Sequence, residues 1–319
     1  MIYGINFLDN STGSLQNKIS KQNEINPELP IWLHLDANSK ETKEFIEKEL
    51  NHLDYHIKSA LLAENTRPRY VEFENGFLLI LRGINLNENQ LPEDMVSLRI
   101  WVEKNRVITF QKRPLKTVLE LKDLILKGNG PSNISQFIQK LIEILTNLME
   151  PSFDQIIDQT DRFEELDLNK LTNKDNNNLS EVRKKCAIFS RYLIPQSHAI
   201  KELLNSNFHL INKLDKKKIN ETHHDILRRV EDILSIKERI QFVYDEYTNT
   251  ISEKMNKTMY KIALISMFFI PISFLTGLLG TNLSGIPFAN NSNSFVIFSI
   301  ILLVLFISQL FIYKKLKWI

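Results

Sequence analysis

Hydrophobic and polar positions change period along this chain, and each change marks a different kind of element. Up to about residue 130 the apolar residues come in short runs. Ile31–Asp36 and Phe77–Leu81 read as buried strands. Ser97–Val102 and Arg106–Phe110 alternate polar and apolar residues on either side of Lys104-Asn105, which predicts a hairpin with one face in water. Glu41–Leu50, Tyr55–Ala63 and Leu115–Leu126 repeat at helical spacing. Gly128-Asn129-Gly130-Pro131 then breaks the chain. Residues 1–130 are therefore expected to form an α/β domain.

From Ser132 the period is helical. Ile134, Ile138, Leu141, Leu145 and Leu148 recur at three and four, the mark of an amphipathic helix. The polar tract Asn173–Asn178 is read as a turn between antiparallel helices, which places helices over 131–215. One helix is expected from Lys216 to Gly280, since no Pro or Gly falls in Asp225–Met259. At 1.5 Å per residue it would be roughly 100 Å long, a stalk that runs into an apolar run.

Two runs lack any charge, Ile262–Leu279 and Phe295–Tyr313, and each is long enough to cross a bilayer as a helix. The first span is expected over about 260–280, a link over 281–294, the second span over 295–313 and a basic tail over 314–319. Lys254, Lys257 and Lys261 flank the first run, Lys314, Lys315 and Lys317 follow the second, and Gly280–Ser294 holds no Lys or Arg. The positive-inside rule then puts both termini in the cytoplasm, in a multi-pass protein of the plasma (inner) membrane. No positive segment followed by an apolar core stands at the N-terminus, so no signal peptide is expected.

The two runs differ in texture. The second is Phe, Ile, Leu and Val apart from Ser299, Ser308 and Gln309, which suits lipid contact. On the helix that carries the first, Ser252, Met259, Ser266, Ser273 and Gly280 are spaced by seven and fall on nearly one face. Small residues on one face pack membrane helices closely; the same stripe can also line a water-filled pore. Two spans cannot enclose a pore, so that reading requires a homo-oligomer. Met259 and Ile262 would form an apolar constriction near the cytoplasmic mouth. Seven residues before Ser252 stands Asp245, next to Glu246; rings of these carboxylates would attract cations to the inner mouth. Pro271 interrupts the first run and is read as a kink.

Composition narrows the chemistry. A net charge of +2 over 319 residues gives no footprint for nucleic acid. The single Cys186 excludes an intramolecular disulfide and a cysteine-rich metal site. The seven histidines make no HExxH motif; His34 reads as structural and His223-His224 as exposed. No nucleophile is set beside a base and an orienting partner, so no enzyme is expected. From Ile262 to Tyr313 there is no Asp, Glu, His, Lys, Arg or Cys. A dehydrated zinc ion would lack its preferred ligands there, and a proton relay would lack its usual members. A hydrated divalent ion needs only acceptors for the hydrogens of its water shell. The side-chain oxygen of Asn282, repeated around a ring, would hold the ion through its water, while Thr281 packs or caps.

Phe274–Asn282 followed by Leu283-Ser284-Gly285-Ile286-Pro287 resembles the signature that ends the first span in the CorA superfamily of divalent-cation transporters. The usual Gly-Met-Asn is here Gly280-Thr281-Asn282, and the following Gly-Ile-Pro is similar to the zinc-transporting, ZntB-like branch. Further stretches agree along the length: Trp32–Asp36, Arg67-Pro68-Arg69, Leu81–Asn85, Asp94–Arg99 and Arg191–Gln196. The resemblance implies a homopentameric funnel with a cytoplasmic α/β domain, a long stalk helix and two C-terminal transmembrane helices. It also implies a pore lined by the first span, with Gly280, Thr281 and Asn282 as the selectivity filter. The implied cargo is zinc, or magnesium, cobalt or nickel on the same scaffold; no cofactor is implied. The implied partners are further copies of the chain, membrane lipid and the divalent ion. A magnesium or cobalt channel and a non-conducting two-span sensor stay as rival readings.

Overall fold

Phe77–Leu81 has no polar residue to turn toward water, so a strand made from it has to be covered on both sides. The computed structural model describes residues 2–8, 15–19, 30–166, 173–206, 208–281, 286 and 291–316. In it this run forms β5 (Gly76–Gly83) near one end of a seven-stranded sheet, with β1 (Ile2–Leu8), β2 (Leu15–Ile19), β3 (Ile31–Asp36), β4 (Arg69–Phe73), β6 (Val96–Glu103) and β7 (Arg106–Gln111). The order is β2-β1-β3-β7-β6-β5-β4. Only β3 and β7 pair in parallel, Ile31 beside Arg106 through Asp36 beside Gln111. The helices α1 (Lys40–Glu49) and α2 (Tyr55–Leu62) follow β3. Phe45, Ile46, Ile57 and Leu61 press onto the sheet face that carries Leu33, Leu78, Ile80 and Ile108. The opposite face, Trp32, Phe77, Leu79, Leu98 and Ile100, is covered by the helices that come later.

The β6–β7 hairpin forms around Lys104-Asn105 as its alternation predicts, but neither face is wet. Arg99 and Thr109, the polar members, are 1% and 0% exposed because each face of the sheet carries a helical layer. Thr109 is satisfied, its Oγ1 accepting from Trp32 Nε1 at 2.8 Å, whereas Arg99 is engaged only in part, its Nη2 donating to the Ala63 carbonyl at 2.6 Å. Gly76 opens β5 because nothing larger fits. A Cβ there would sit 2.3 Å from the Val102 carbonyl oxygen and 2.9 Å from the Trp101 ring.

The second layer is α3 (Lys116–Leu126), α4 (Ile134–Asn147), α5 (Glu150–Glu165), α6 (Asn173–Asn205) and the first part of α7 (Lys213–Leu279). Asn133 caps α4 by accepting from the Gln136 amide at 2.9 Å. The tract Asn173–Asn178, expected as a turn, is instead the first part of α6. Asparagine is a poor helix former only by tenths of a kcal/mol, and Leu179, Val182 and Cys186 beyond it bury one face. In α7, Ile219, Ile226, Ile233 and Ile240 repeat every seven residues and are all buried. On the same helix Arg239 bonds Glu164 and Asp161 of α5, at 2.6 Å to each, and Arg229 bonds Glu150 at 2.7 Å.

The chain divides into two compact units, Met1–Tyr244 and Asp245–Ile319. The second unit holds the rest of α7 and α8 (Ser294–Lys315). The stalk helix was expected from Lys216; it begins at Lys213 and runs 67 residues.

Candidate functional site

The candidate site is the uncharged end of α7. It holds its helix through Pro271, which has no N–H to reach the Met267 carbonyl. Downstream, Thr276 Oγ1 donates to the carbonyls of Ile272 and Ser273 at 3.0 Å each. The helix ends cleanly. The Gly280 amide reaches the Thr276 carbonyl at 2.9 Å, and Thr281 Oγ1 donates to the Leu278 carbonyl at 3.0 Å. Thr281 therefore caps exposed carbonyls, as its hydroxyl chemistry suggests. Asn282, Ser284, Gly285 and Pro287 lie outside the described residues.

α8 packs along one side of this segment. The Phe268 ring lies 5.6 Å from Phe306 and 5.1 Å from Tyr313, centroid to centroid. Leu264, Phe268, Pro271, Ile272 and Leu275 are half-buried. At 100° per residue these lie within about 60° of Phe268 around the helix, whereas Ser266 and Ser273 stand about 160° and 140° away. The small-residue stripe thus looks away from α8. Ser273 and Gly280 are exposed and Ser266 is half-buried. Below them Met259 and Ile262 are each 59% exposed. Ser252 is exposed, its Oγ turned back onto the Thr248 carbonyl at 2.9 Å. Asp245 and Glu246 are exposed at the start of this unit. On α8 the one buried side chain is Gln309, which shares a helix face with Phe306 and Tyr313.

Among the described residues no three His, Cys, Asp or Glu side chains gather into a metal-binding group. His223, expected on the surface, is 5% exposed, and burial lowers its pKa. His34 is buried as a structural residue. Its Nδ1 lies 2.7 Å from Thr109 Oγ1, and burial pushes its pKa down to about 4 against the support of the neighbouring Gln111 amide. Three arginines of the first unit that the sequence presents in separate stretches, Arg82, Arg99 and Arg191, line one cavity. Their convergence has no signature in the one-dimensional pattern.

Beside its α/β unit the chain thus carries two helices long and apolar enough to cross a membrane, the 67-residue helix at its apolar end and the second helix of 22 residues. The sequence model described as CorA-like Mg2+ transporter protein matches residues 28–315, and the chain belongs to this family. The divalent cation transporter CmaX of Pseudomonas aeruginosa is 34% identical over 295 residues, which cover 92% of this chain and 89% of that one. The zinc transport protein ZntB of Pectobacterium atrosepticum is 29% identical over 301 residues, covering 94% and 91%. The solved structure of the full-length CmaX protein superposes with a TM-score of 0.81 at 32% identity, over 99% of this chain and 98% of that one.

Proposed function

We propose that this chain carries divalent cations across the plasma membrane, zinc foremost, through a pore that several copies build from the end of α7. Both termini lie in the cytoplasm in this reading, on the side marked by Lys254, Lys257 and Lys261. The observation that carries it is the placement of the small-residue stripe. Ser266, Ser273 and Gly280 turn away from α8, so α8 is left to face lipid and the stripe to face other copies around an axis. The membrane segments offer hydroxyls, amides and backbone carbonyls but no carboxylate, imidazole or thiolate. Such a lining suits an ion that keeps its water shell, since each bound water presents hydrogens to neutral acceptors. Asn282, next to the Thr281 cap, supplies the ring of acceptors at the outer mouth. Asp245 and Glu246 raise the local cation concentration at the inner mouth. Met259 and Ile262 narrow the path between them.

Zinc is favoured by the ZntB relatives and by the Gly-Ile-Pro that follows the filter. A magnesium carrier is the second reading, favoured by the family description and by the absence of soft ligands. The test is flux of zinc and of magnesium into proteoliposomes, for the wild type and for Asn282→Ala. Zinc flux above magnesium flux, with near-complete loss of both in the variant at unchanged assembly, is the expected result. Wild-type flux in the variant would remove Asn282 from the filter; equal fluxes of the two ions would remove the preference for zinc.

A further inference from the structure

A cavity of about 380 Å³ opens in the first unit, between β5, β6 and α6. Its walls are unusually basic for a chain that is nearly neutral overall. Arg82, Arg99, Lys112, Arg113 and Arg191 face it, against the carboxylates of Glu64, Glu93 and Asp94. Among the described residues none of the five cations has a carboxylate within 4 Å.

The two inner arginines are held in different ways. Arg82 is fixed by the backbone: Nη1 donates to the Met95 carbonyl at 2.7 Å, Nη2 and Nε donate to the Thr66 carbonyl at 2.8 and 3.2 Å, and its guanidinium lies 4.2 Å from the centre of the Tyr192 ring. Arg99 is buried to 1% exposure, yet only its Nη2 is engaged. Its Nε and Nη1 have no acceptor. A buried guanidinium with idle donors is costly, because it has given up water without replacing it. The cost is raised by the neighbouring Arg82: burial first, and then that like charge, lower the Arg99 pKa to about 10. Both groups remain cations at neutral pH, so the repulsion between them persists. Lys112 is half-buried, and Arg113 and Arg191 are exposed at the rim, the Arg191 guanidinium 5.8 Å from the centre of the Tyr192 ring; long side chains in such positions can reach over a guest.

We infer that this cavity binds the phosphate group of a small molecule, with Arg99 at its floor and Arg113 and Arg191 as movable clamps. A tetrahedral oxyanion brings several acceptor oxygens and nearly two negative charges. It can take the idle Arg99 donors and compensate the like-charged pair in one step, as guanidinium–phosphate contacts do. A monovalent halide would satisfy fewer donors. The site lies outside the membrane unit, and its occupation does not depend on the conduction reading above.

The experiment is calorimetric titration of the full chain in detergent micelles at pH 7.5. Inorganic phosphate, metal-free ATP and sodium chloride are added in turn at matched ionic strength. Phosphate is expected to bind once per chain. Affinity falls at least about tenfold in Arg113→Gln/Arg191→Gln, and binding is lost in Arg99→Met. The double variant decides the matter if Arg99→Met fails to fold, because both its positions are exposed. Binding of ATP that phosphate displaces would assign the phosphate group to a nucleotide, and binding of phosphate alone would assign it to the free ion. No binding of either, binding unchanged in the double variant, or an equal response to chloride would overturn the inference.

Discussion

His34 shows at the residue scale how burial converts an ordinary side chain into a pH sensor of stability. Its pKa is lowered from 6.5 to about 4 in the folded chain, chiefly by burial. Between those values the unfolded chain binds a proton that the folded chain refuses, so stability falls as pH drops through that window and is complete above it. A shift of this size is worth on the order of 3 kcal/mol over the whole window. Trp32 and Trp101 are both buried in the same unit, so their fluorescence reports its melting. The melting temperature of the full chain is expected to decline from pH 6.5 toward pH 4, and His34→Gln to flatten the decline between pH 6.5 and 5, above the range where carboxylates titrate. An unchanged slope in the variant would show that His34 does not govern this window. The sequence placed His34 in a strand as a structural residue, because it is flanked by Trp32, Leu33 and Leu35. It held no sign that Arg99 is buried, since an alternating strand looks the same whether its polar face meets water or a layer of helices.

At the scale of elements the stripe on α7 makes the sharpest claim. Ser266 and Ser273 stand across the helix from Phe268, whose ring meets Phe306 and Tyr313 of α8. If the stripe lines an aqueous path, Ser266→Cys and Ser273→Cys on a Cys186→Ala background react with a water-soluble thiol reagent, and Leu264→Cys and Phe268→Cys do not. Mass spectrometry of the labelled protein reads the difference, and equal labelling of both pairs would place the path on another face. This helix was legible because its apolar period runs without Pro or Gly until Pro271, and its observed bounds, Lys213–Leu279, differ from the expected ones by a few residues at most. The strands β1, β2 and β4 were not read. In β4, Arg69–Phe73, no residue is fully buried, so the edge of the sheet leaves no apolar run behind. The start of α6 was misread because Asn-rich composition signals turns locally, whereas the burial that holds the helix comes from residues further along.

For the whole molecule the question is how many copies make the working unit. One copy contributes a single span with a small-residue stripe and a second span that covers its opposite side. On the exposed surface of the second unit stand Met259, Ile262, Phe269, Ile270, Phe274 and Leu278, each more than half exposed. Lipid accepts such residues, but lipid gives no reason for Ser266, Ser273 and Gly280 to share a face. Contact among copies does, because small residues let helix backbones approach and leave hydroxyls directed to a shared axis. Closed rotational symmetry then repeats one interface until the ring closes. The resemblance to CorA-type transporters sets the expected number at five, which corresponds to about 187 kDa of protein, five times the 37.3 kDa of one chain. Light scattering coupled to refractive index and absorbance separates this protein mass from the detergent around it. A pentameric mass in preparations that transport zinc is the expected outcome, and a monomeric or dimeric mass with transport intact would rule out a pore shared among copies. Ser273→Trp extends the same argument. Its bulk falls on the shared face, so it is expected to block flux or to shift the mass, whereas Phe311→Trp, on a side chain 74% exposed on α8, leaves both unchanged.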